Sequence, residues 1–264
     1  SWEVLDAFRQ AALEVGIPMV NDFNQGNNEG SDYFEVNQKK GWRWNTSKAF
    51  LKPIAHRKNL TVLTRAQTHR VIFEGRQAVG VEFSQDKHIR HARAHHEVVL
   101  AAGAIGSPQL LQLSGVGDSA LLNSYGINVV HELPGVGANL QDHLQLRTIF
   151  KVQGTQTLNT MANSVWGKAK IALEYALSRT GPMSMAPSQL GIFTKSNPSQ
   201  PRANLQYHVQ PLSLERFGEN LHHFPAITAS VCNLQPTSRG QVNIMSADPT
   251  QAPSIDCRYL STAQ

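Results

Sequence analysis

The sequence predicts an α/β (α+β) fold. Three observations support this class. Short β-branched runs alternate with helical patterns, one strand-like run passes directly into a small-residue turn and a helix start, and a long amphipathic helix precedes several further strand-like runs. With 264 residues, of which 41% are hydrophobic, the chain has enough apolar side chains for a core in one large domain or two small ones.

The N-terminal residues predict an amphipathic surface helix. Its apolar side chains recur at helical spacing: Trp2, Leu5, Phe8, Ala12 and Val15. Ser1 can cap this helix, and Gly16 and Pro18 end it. Residues 21–31 are rich in Asn, Gly and Asp, which predicts a loop.

Two tryptophans follow this loop. Trp42 and Trp44 flank Arg43, and such a pair can form one wall of a substrate cavity or can simply cover the edge of a domain. A short helix is predicted at 46–51, and Pro53 ends it.

Residues 59–100 change to a period of two, which predicts strands. The strand-like runs are 60–63, 71–73 and 79–83. A tight turn is predicted at 74–76, where Gly supplies the conformational freedom. These runs predict a β-meander that leads into the stretch at 97–117.

The stretch EVVLAAGAIGSPQLLQLSGVG, residues 97–117, joins a strand, a small-residue turn and a helix. The β-branched run at 98–100 predicts a short buried strand, and the small residues at 101–104 leave the backbone open to close approach. Ser107 is the predicted N-cap of the helix, and Pro108 its first residue. This arrangement is typical of an anion cradle at a helix N-terminus, and equally of tight strand–helix packing without a ligand.

Two further patterns resemble sites but lack the required context. Four histidines on a polar turn and strand have no carboxylate or cysteine at ligand spacing, which disfavours a metal site: His88, His91, His95 and His96. Residues 115–120 match G-x-G-x-x-A, but they follow a helix rather than a strand, so we do not interpret them as a dinucleotide site. Asp118 instead predicts the N-cap of a short helix that ends at Gly126.

A glycine-rich block, GVGANLQDH, occupies residues 135–143 after a strand predicted at 128–133. It places amides, a carboxylate and an imidazole beside residues of little bulk. On their own, Asp142 and His143 indicate no more than hydrogen bonding within a loop.

The pattern changes beyond Leu144. Residues 165–178 predict an amphipathic helix that Gly181 and Pro182 close. Strand-like runs follow at 204–209, 227–231, 241–244 and 254–256. Three histidines in this part are interpreted as polar sheet or loop residues: His208, His222 and His223.

Three blocks resemble, in the same order, segments of the glucose–methanol–choline (GMC) flavin oxidoreductases. They are NQKKGWRWNTSKAFL at 37–51 and the blocks at 97–117 and 135–143. Weaker similarity runs through nearly all of the chain, and it is greatest to the choline dehydrogenase-like members. The resemblance implies the central portion of such an enzyme.

The resemblance implies two partial domains. These are an FAD-binding, Rossmann-like domain with the meander at 1–143, and a mixed-sheet substrate domain with helices on one side at 144–264. The family's N-terminal G-x-G-x-x-G unit is not found in the first of them. The implied FAD-binding residues are Thr68, whose backbone would meet the adenine, and Ala102, Gly103, Ala104, Ser107, Asn139, Asp142 and His143. Trp42 and Trp44 are the implied substrate contacts, and no catalytic residue is assigned to this chain.

The implied activity is oxidation of the CH–OH group of choline or another alcohol, with hydride transfer to FAD and electrons passed to oxygen or a quinone-type acceptor. Two alternatives stay open: a hydroxynitrile lyase of the same fold, and a non-catalytic domain that reuses the scaffold. Neither the pyrophosphate-binding turn nor the family's C-terminal catalytic histidine is found. We therefore expect this chain alone to bind FAD weakly or not at all and to be inactive.

Composition excludes several other classes. No window approaches the roughly 18 apolar residues of a membrane-spanning helix. The net charge of +5 is not accompanied by aromatics along a basic face, which disfavours nucleic-acid binding. The two cysteines, Cys232 and Cys257, lack metal-ligand spacing and suit a reducing compartment. We therefore expect a cytoplasmic protein, with peripheral association with a membrane as a second option.

Overall fold

A computed structural model of the chain describes residues 2–216 and 218–263. The helices are α1 (Glu3–Glu14), α2 (Lys52–Ile54), α3 (Gly103–Leu113), α4 (Ser119–Ser124), α5 (Leu158–Ala162) and α6 (Val165–Ser178). The strands are β1 (Gly30–Tyr33), β2 (Gln38–Lys39), β3 (Trp42–Arg43), β4 (Ala66–Glu74), β5 (Gln77–Gln85), β6 (His88–Arg93), β7 (Val116–Gly117), β8 (His131–Glu132), β9 (Ala138–Leu140), β10 (Gln145–Lys151), β11 (Leu190–Thr194), β12 (Leu205–Gln210), β13 (Ala226–Asn233), β14 (Gly240–Asn243) and β15 (Ser254–Asp256). A π-helical turn at Ser47–Leu51 precedes α2, and a 3-10 turn spans Pro182–Ser184.

The chain forms two compact units, each built from two separate stretches. Unit 1 combines the residues up to 57 with 143–235, and unit 2 combines 58–142 with the residues from 236 onward. This division differs from the predicted domains 1–143 and 144–264. Strand pairing gives the reason, because β1 pairs with β11 in unit 1 and β14 pairs with β9 in unit 2.

Unit 1 is organised around a five-stranded sheet with the order β1-β11-β12-β13-β10. We predicted a mixed sheet here, but each of these strands is antiparallel to its neighbours. The sheet lacks the predicted strands at 241–244 and 254–256, because β14 and β15 belong to unit 2. Helix α1 packs Val4 and Leu5 against strand residues of this sheet, and the buried cluster includes Leu190, Val209 and Ile227.

Unit 2 contains the predicted β-meander, β4-β5-β6, with antiparallel pairing and a turn after Glu74. It also contains the three-stranded sheet β15-β14-β9 and the short parallel pair β7-β8. Its buried core joins Leu113 of α3, Leu122 of α4 and Ile244 next to β14. Helix α3 therefore packs at the centre of this unit.

Several element boundaries agree with the sequence predictions. Helix α6 has the predicted bounds, and β15 occupies the predicted 254–256. Asp118 caps α4 as predicted, because its Oδ1 accepts a hydrogen bond of 2.9 Å from the backbone N–H of Leu121. Ser1, the predicted cap of α1, lies outside the described residues.

Four local predictions are wrong. Pro53 does not end the helix predicted at 46–51, since helical structure continues from the π-helical turn through α2 to Ile54. The run at 60–63 is not a strand, since β4 begins only at Ala66, and the run at 98–100 has no strand partner among the described residues. Val99 is consequently 75% exposed rather than buried. Helix α3 begins at Gly103 rather than after Ser107, so that Pro108 lies inside it. The hydroxyl of Ser107 still acts at the helix start, where its Oγ accepts a hydrogen bond of 3.1 Å from the backbone N–H of Ala102.

Candidate functional site

Unit 2 contains a cavity of about 500 Å³ between the meander and the stretch at 97–102. Small residues contribute about half of its lining, and we call it the small-residue cavity: Thr68, Gly80, Ala92, Ala94, Ala101 and Ala102 line it. Larger residues complete the lining, among them the charged Arg93 and Glu97 and the apolar residues 98–100. Thr68 lies on β4 and Ala102 directly precedes α3, so the fold brings together two predicted cofactor residues that are distant in sequence. Short side chains leave backbone atoms accessible to a flat ring.

The start of α3 presents its backbone toward open space. Gly103 has a φ of +78°, which favours glycine, and a Cβ atom placed on it would meet nothing within 4 Å. The predicted residues Ala102, Gly103 and Ala104 are all exposed. Because the protein's own packing does not fill this space, it suits a group that presses against the backbone at a helix N-terminus.

The predicted block at 135–143 contributes β9, the edge strand of another sheet in unit 2. Asn139 lies on β9 with a φ of +62° and is exposed. Asp142 accepts a hydrogen bond from the hydroxyl of Tyr259, and this bond raises the pKa of Tyr259 above its usual value. Asn139 and Asp142 do not line the small-residue cavity. Tyr259 was missed in the sequence because nothing near Asp142 in the chain indicates a partner so far away.

A buried glutamine connects the block at 97–117 to the block at 135–143. Gln112 of α3 is 0% exposed, and its Nε2 donates to the backbone oxygens of Val136 and Val242 at 3.2 and 3.1 Å and to Oδ1 of Asn243 at 3.3 Å. Its Oε1 accepts from the N–H of Ile244 at 2.9 Å. The helix that begins at the small-residue cavity is thus fixed to the segment that enters β9. Sequence reasoning missed this residue, since a glutamine within a helix usually lies on the surface.

The same segment requires glycine for a packing reason. Gly137 has a φ of +83°, and a Cβ atom there would lie 2.1 Å from the carbonyl oxygen of Val242 and 2.6 Å from Nε2 of Gln112. Gly137 of the block at 135–143 is therefore explained by close packing against the backbone of Val242.

His143, the last predicted cofactor residue, belongs to unit 1. In that unit the ring of His208 stacks on Phe34 with centroids 5.2 Å apart. Burial lowers the pKa of His208, and the charge of His143 lowers it further. His143 is thus close enough to His208 to influence its titration.

Trp42 and Trp44, the predicted substrate contacts, lie in and beside β3 of unit 1. Cations of the protein itself cover their rings: Nζ of Lys48 is 5.4 Å and Cζ of Arg179 is 4.8 Å from the Trp42 centroid. Nζ of Lys39 is 5.0 Å from the Trp44 centroid. A cationic ligand at either ring would therefore compete with these side chains.

Unit 1 also contains a cavity of about 480 Å³ that sequence reasoning missed, because separate segments contribute to it. Aromatic rings, thioethers, an amide and a carboxylate line it: Tyr33, Phe34, Met161, Met185, Gln189 and Glu174. Gln38, Gln156, Ser184 and Ser188 also line it, so the wall of this cavity is about as polar as it is apolar.

Two further types of site are absent from the part of the chain that the structure describes. Within it, no three His, Cys, Asp or Glu side chains are grouped so that they could hold a metal ion. Within the same residues, no helix combines the length and apolar character needed to cross a bilayer.

Comparison with known proteins relates the chain to one family. The sequence profile described as GMC oxidoreductase matches residues 3–145. An alcohol dehydrogenase (acceptor) of Pseudomonas putida is 39% identical over 258 residues, which cover 97% of this chain and 47% of that protein. An oxygen-dependent choline dehydrogenase of Serratia proteamaculans (strain 568) is 37% identical over 265 residues, with coverage of 99% and 48%. The chain thus spans about half the length of the curated relatives it matches.

Solved structures share the fold. An FAD-dependent oxidoreductase from Chaetomium thermophilum matches with a TM-score of 0.83 and 25% identity, over 98% of this chain and 51% of that chain. A formate oxidase matches with a TM-score of 0.89 and 20% identity, over 99% of this chain and 50% of the other. The predicted α/β class and the predicted family resemblance are confirmed.

Proposed function

The chain belongs to the GMC oxidoreductase family, and on this premise we propose that it forms the adenine side of the FAD site and one substrate wall of an oxidoreductase. That enzyme acts on the CH–OH group of alcohols. The observation that carries this proposal is the small-residue cavity, which both Thr68 and Ala102 line. FAD, when bound, supplies the hydride acceptor for the reaction.

The residues of this chain would bind and orient the cofactor rather than perform chemistry. The backbone of Thr68 would face the adenine ring, and the backbone N–H groups of Gly103 and Ala104 in the exposed turn would be offered to a nearby anion. Ser107 holds this turn through its bond to the N–H of Ala102. Asn139, Asp142 and His143 stay predicted cofactor contacts, and none of them is assigned a proton transfer.

We favour a neutral alcohol over a quaternary ammonium as the substrate near Trp42 and Trp44. The cations over these rings, Lys39, Lys48 and Arg179, would repel a second positive charge. The relatives are named for choline and for alcohols with an acceptor. The electron acceptor, of the oxygen or quinone type, and a cytoplasmic or membrane-peripheral location also belong to this proposal.

Amide NMR tests the cofactor part, because chemical shifts detect the weak binding expected of this chain. The chain would be titrated separately with FAD, ADP and FMN. FAD and ADP should shift the amide signals of Thr68 and of residues 101–104, whereas FMN, which lacks adenine, should leave them unchanged. Shifts that appear equally with FMN, or shifts with the adenine compounds at other amides instead of these, would refute the assignment.

A matched pair of variants separates binding from general effects. Ala102→Leu fills the small-residue cavity and should abolish the ADP-dependent shifts. Ala11→Leu adds the same side chain to an exposed position of α1 and should leave them intact. Equal effects of the two substitutions would contradict the proposed cavity.

A further inference from the structure

Helix α6 presents an unusually apolar outer side. Val165 is 83% exposed, Trp166 86%, Leu173 59% and Leu177 78%, although its inner side is packed through the buried Ile171. Large exposed side chains grouped on one helix face are typical of an interaction surface. The exposed alanines of this helix extend the face: Ala169, Ala172 and Ala176.

Two lysines border this face. With 3.6 residues per turn, the exposed apolar residues of α6 fall within an arc of roughly 140°, with Lys168 at one edge and Lys170 at the other. Glu174, the one acidic residue of the helix, lies half-buried on the inner side. This is the arrangement of a helix that lies in a membrane interface, with lysines extending to the lipid headgroups.

A basic segment adjoins the C-terminal end of α6. The hydroxyl of Tyr175 donates to the carbonyl oxygen of Gly41 at 3.2 Å, and the guanidinium of Arg179 lies over Trp42. Residues 38–57, which contain Gly41 and Trp42, carry six lysines and arginines and no Asp or Glu. Positive charge is therefore concentrated beside the apolar face.

We propose that the apolar face of α6 docks on an anionic membrane surface, with Trp166, Leu173 and Leu177 entering the interface and Lys168 and Lys170 contacting lipid phosphates. Charge complementarity favours this occupant. A second copy would bring two lysine-bordered faces of like charge together, and a nucleic acid would leave the apolar side chains in water. The inference extends the membrane-peripheral part of the proposed function and is independent of its flavin chemistry.

Vesicle flotation of the purified chain tests this proposal without any flavin. The chain should float with vesicles of phosphatidylglycerol and phosphatidylethanolamine and not with vesicles of phosphatidylcholine alone, and added salt should weaken the binding. Leu177→Ser should weaken partitioning about tenfold, which corresponds to about 1.4 kcal/mol, because the apolar side chain that enters the interface is lost. Lys168→Gln and Lys170→Gln should each weaken it about fivefold.

Matched controls make the result specific. Val15→Ser changes an apolar residue that is 77% exposed at the end of α1, and Lys87→Gln changes an exposed lysine of unit 2; both should bind like the unchanged chain. Failure to float with the anionic vesicles would overturn the proposal, as would equal losses for Val15→Ser and Leu177→Ser. Sedimentation without lipid measures whether the chain is a monomer or a dimer. A dimer that Leu177→Ser dissociates would overturn the proposal and assign the apolar face of α6 to contact with a second copy of the chain.

Discussion

Replacing Gln112 with leucine tests whether one buried side chain joins the block at 97–117 to the block at 135–143. The substitution keeps the approximate volume and removes four hydrogen bonds. Each such bond contributes about 1 kcal/mol net to the free energy of unfolding. Burial of the apolar leucine side chain offsets about 1 kcal/mol of the loss. We therefore expect Gln112→Leu to lower the free energy of unfolding of unit 2 by about 3 kcal/mol.

The assay must follow unit 2 rather than the whole chain. All four tryptophans belong to unit 1, so fluorescence reports the wrong unit. Urea unfolding should therefore be followed through the amide NMR signals of unit 2, and hydrogen exchange at the amide of Ile244 should accelerate, since this N–H loses its acceptor.

Gln109 provides a control on the same helix. Its side chain donates one exposed hydrogen bond of 2.9 Å to the carbonyl oxygen of Gln251. Gln109→Leu should therefore cost about 1 kcal/mol or less. Should Gln112→Leu cost no more than Gln109→Leu, and should exchange at Ile244 stay unchanged, the buried connection would not stabilise this unit as we argue.

Two further predictions concern backbone packing and pH. Gly137→Ala should lower the free energy of unfolding by about 3 kcal/mol, because its φ is positive and the new Cβ would meet the Val242 oxygen; Gly75→Ala, with a positive φ but open space, should cost only about 1 kcal/mol in the same urea titration. His208 has a lowered pKa in the folded chain, so the unfolded chain binds more protons below about pH 6.5, and stability should fall as the pH decreases from there through the folded pKa. His208→Gln should remove this part of the acid-side loss in melting temperature, and an unchanged pH profile would contradict the assignment.

Elements with a complete local signal were predicted well. Helix α6 has both a capping Ser164, whose Oγ accepts from the N–H of Gly167, and a clear end, and its bounds agree with the prediction. The turn after Glu74 was likewise set by its own glycine. In these segments the residues that determine where the element begins and ends lie in the element itself or next to it.

Features that depend on distant partners were predicted poorly. The run at 98–100 has strand propensity, but a strand also needs a hydrogen-bonding neighbour, and none of the described residues supplies one. The division into two units likewise follows from pairing between β1 and β11 across the sequence. For the site, the family resemblance predicted Thr68 and Ala102, which line one cavity, whereas Gln112 and Tyr259 act through contacts with residues far away in the chain.

Two glycines of the sequence blocks carry different weight as evidence for a cofactor. At Gly137, contact with the Val242 carbonyl alone demands the absence of a side chain, so this glycine would be required whether or not a ligand binds nearby. At Gly103 the φ of +78° favours glycine, but the space beside it is open. The small side chains of Ala101, Ala102 and Ala104 are also exposed, so packing within the described residues does not account for their size. A ligand that approaches this backbone does account for it, and for this reason the turn at 101–104, rather than the glycine-rich block at 135–143, is the stronger argument for the cofactor site.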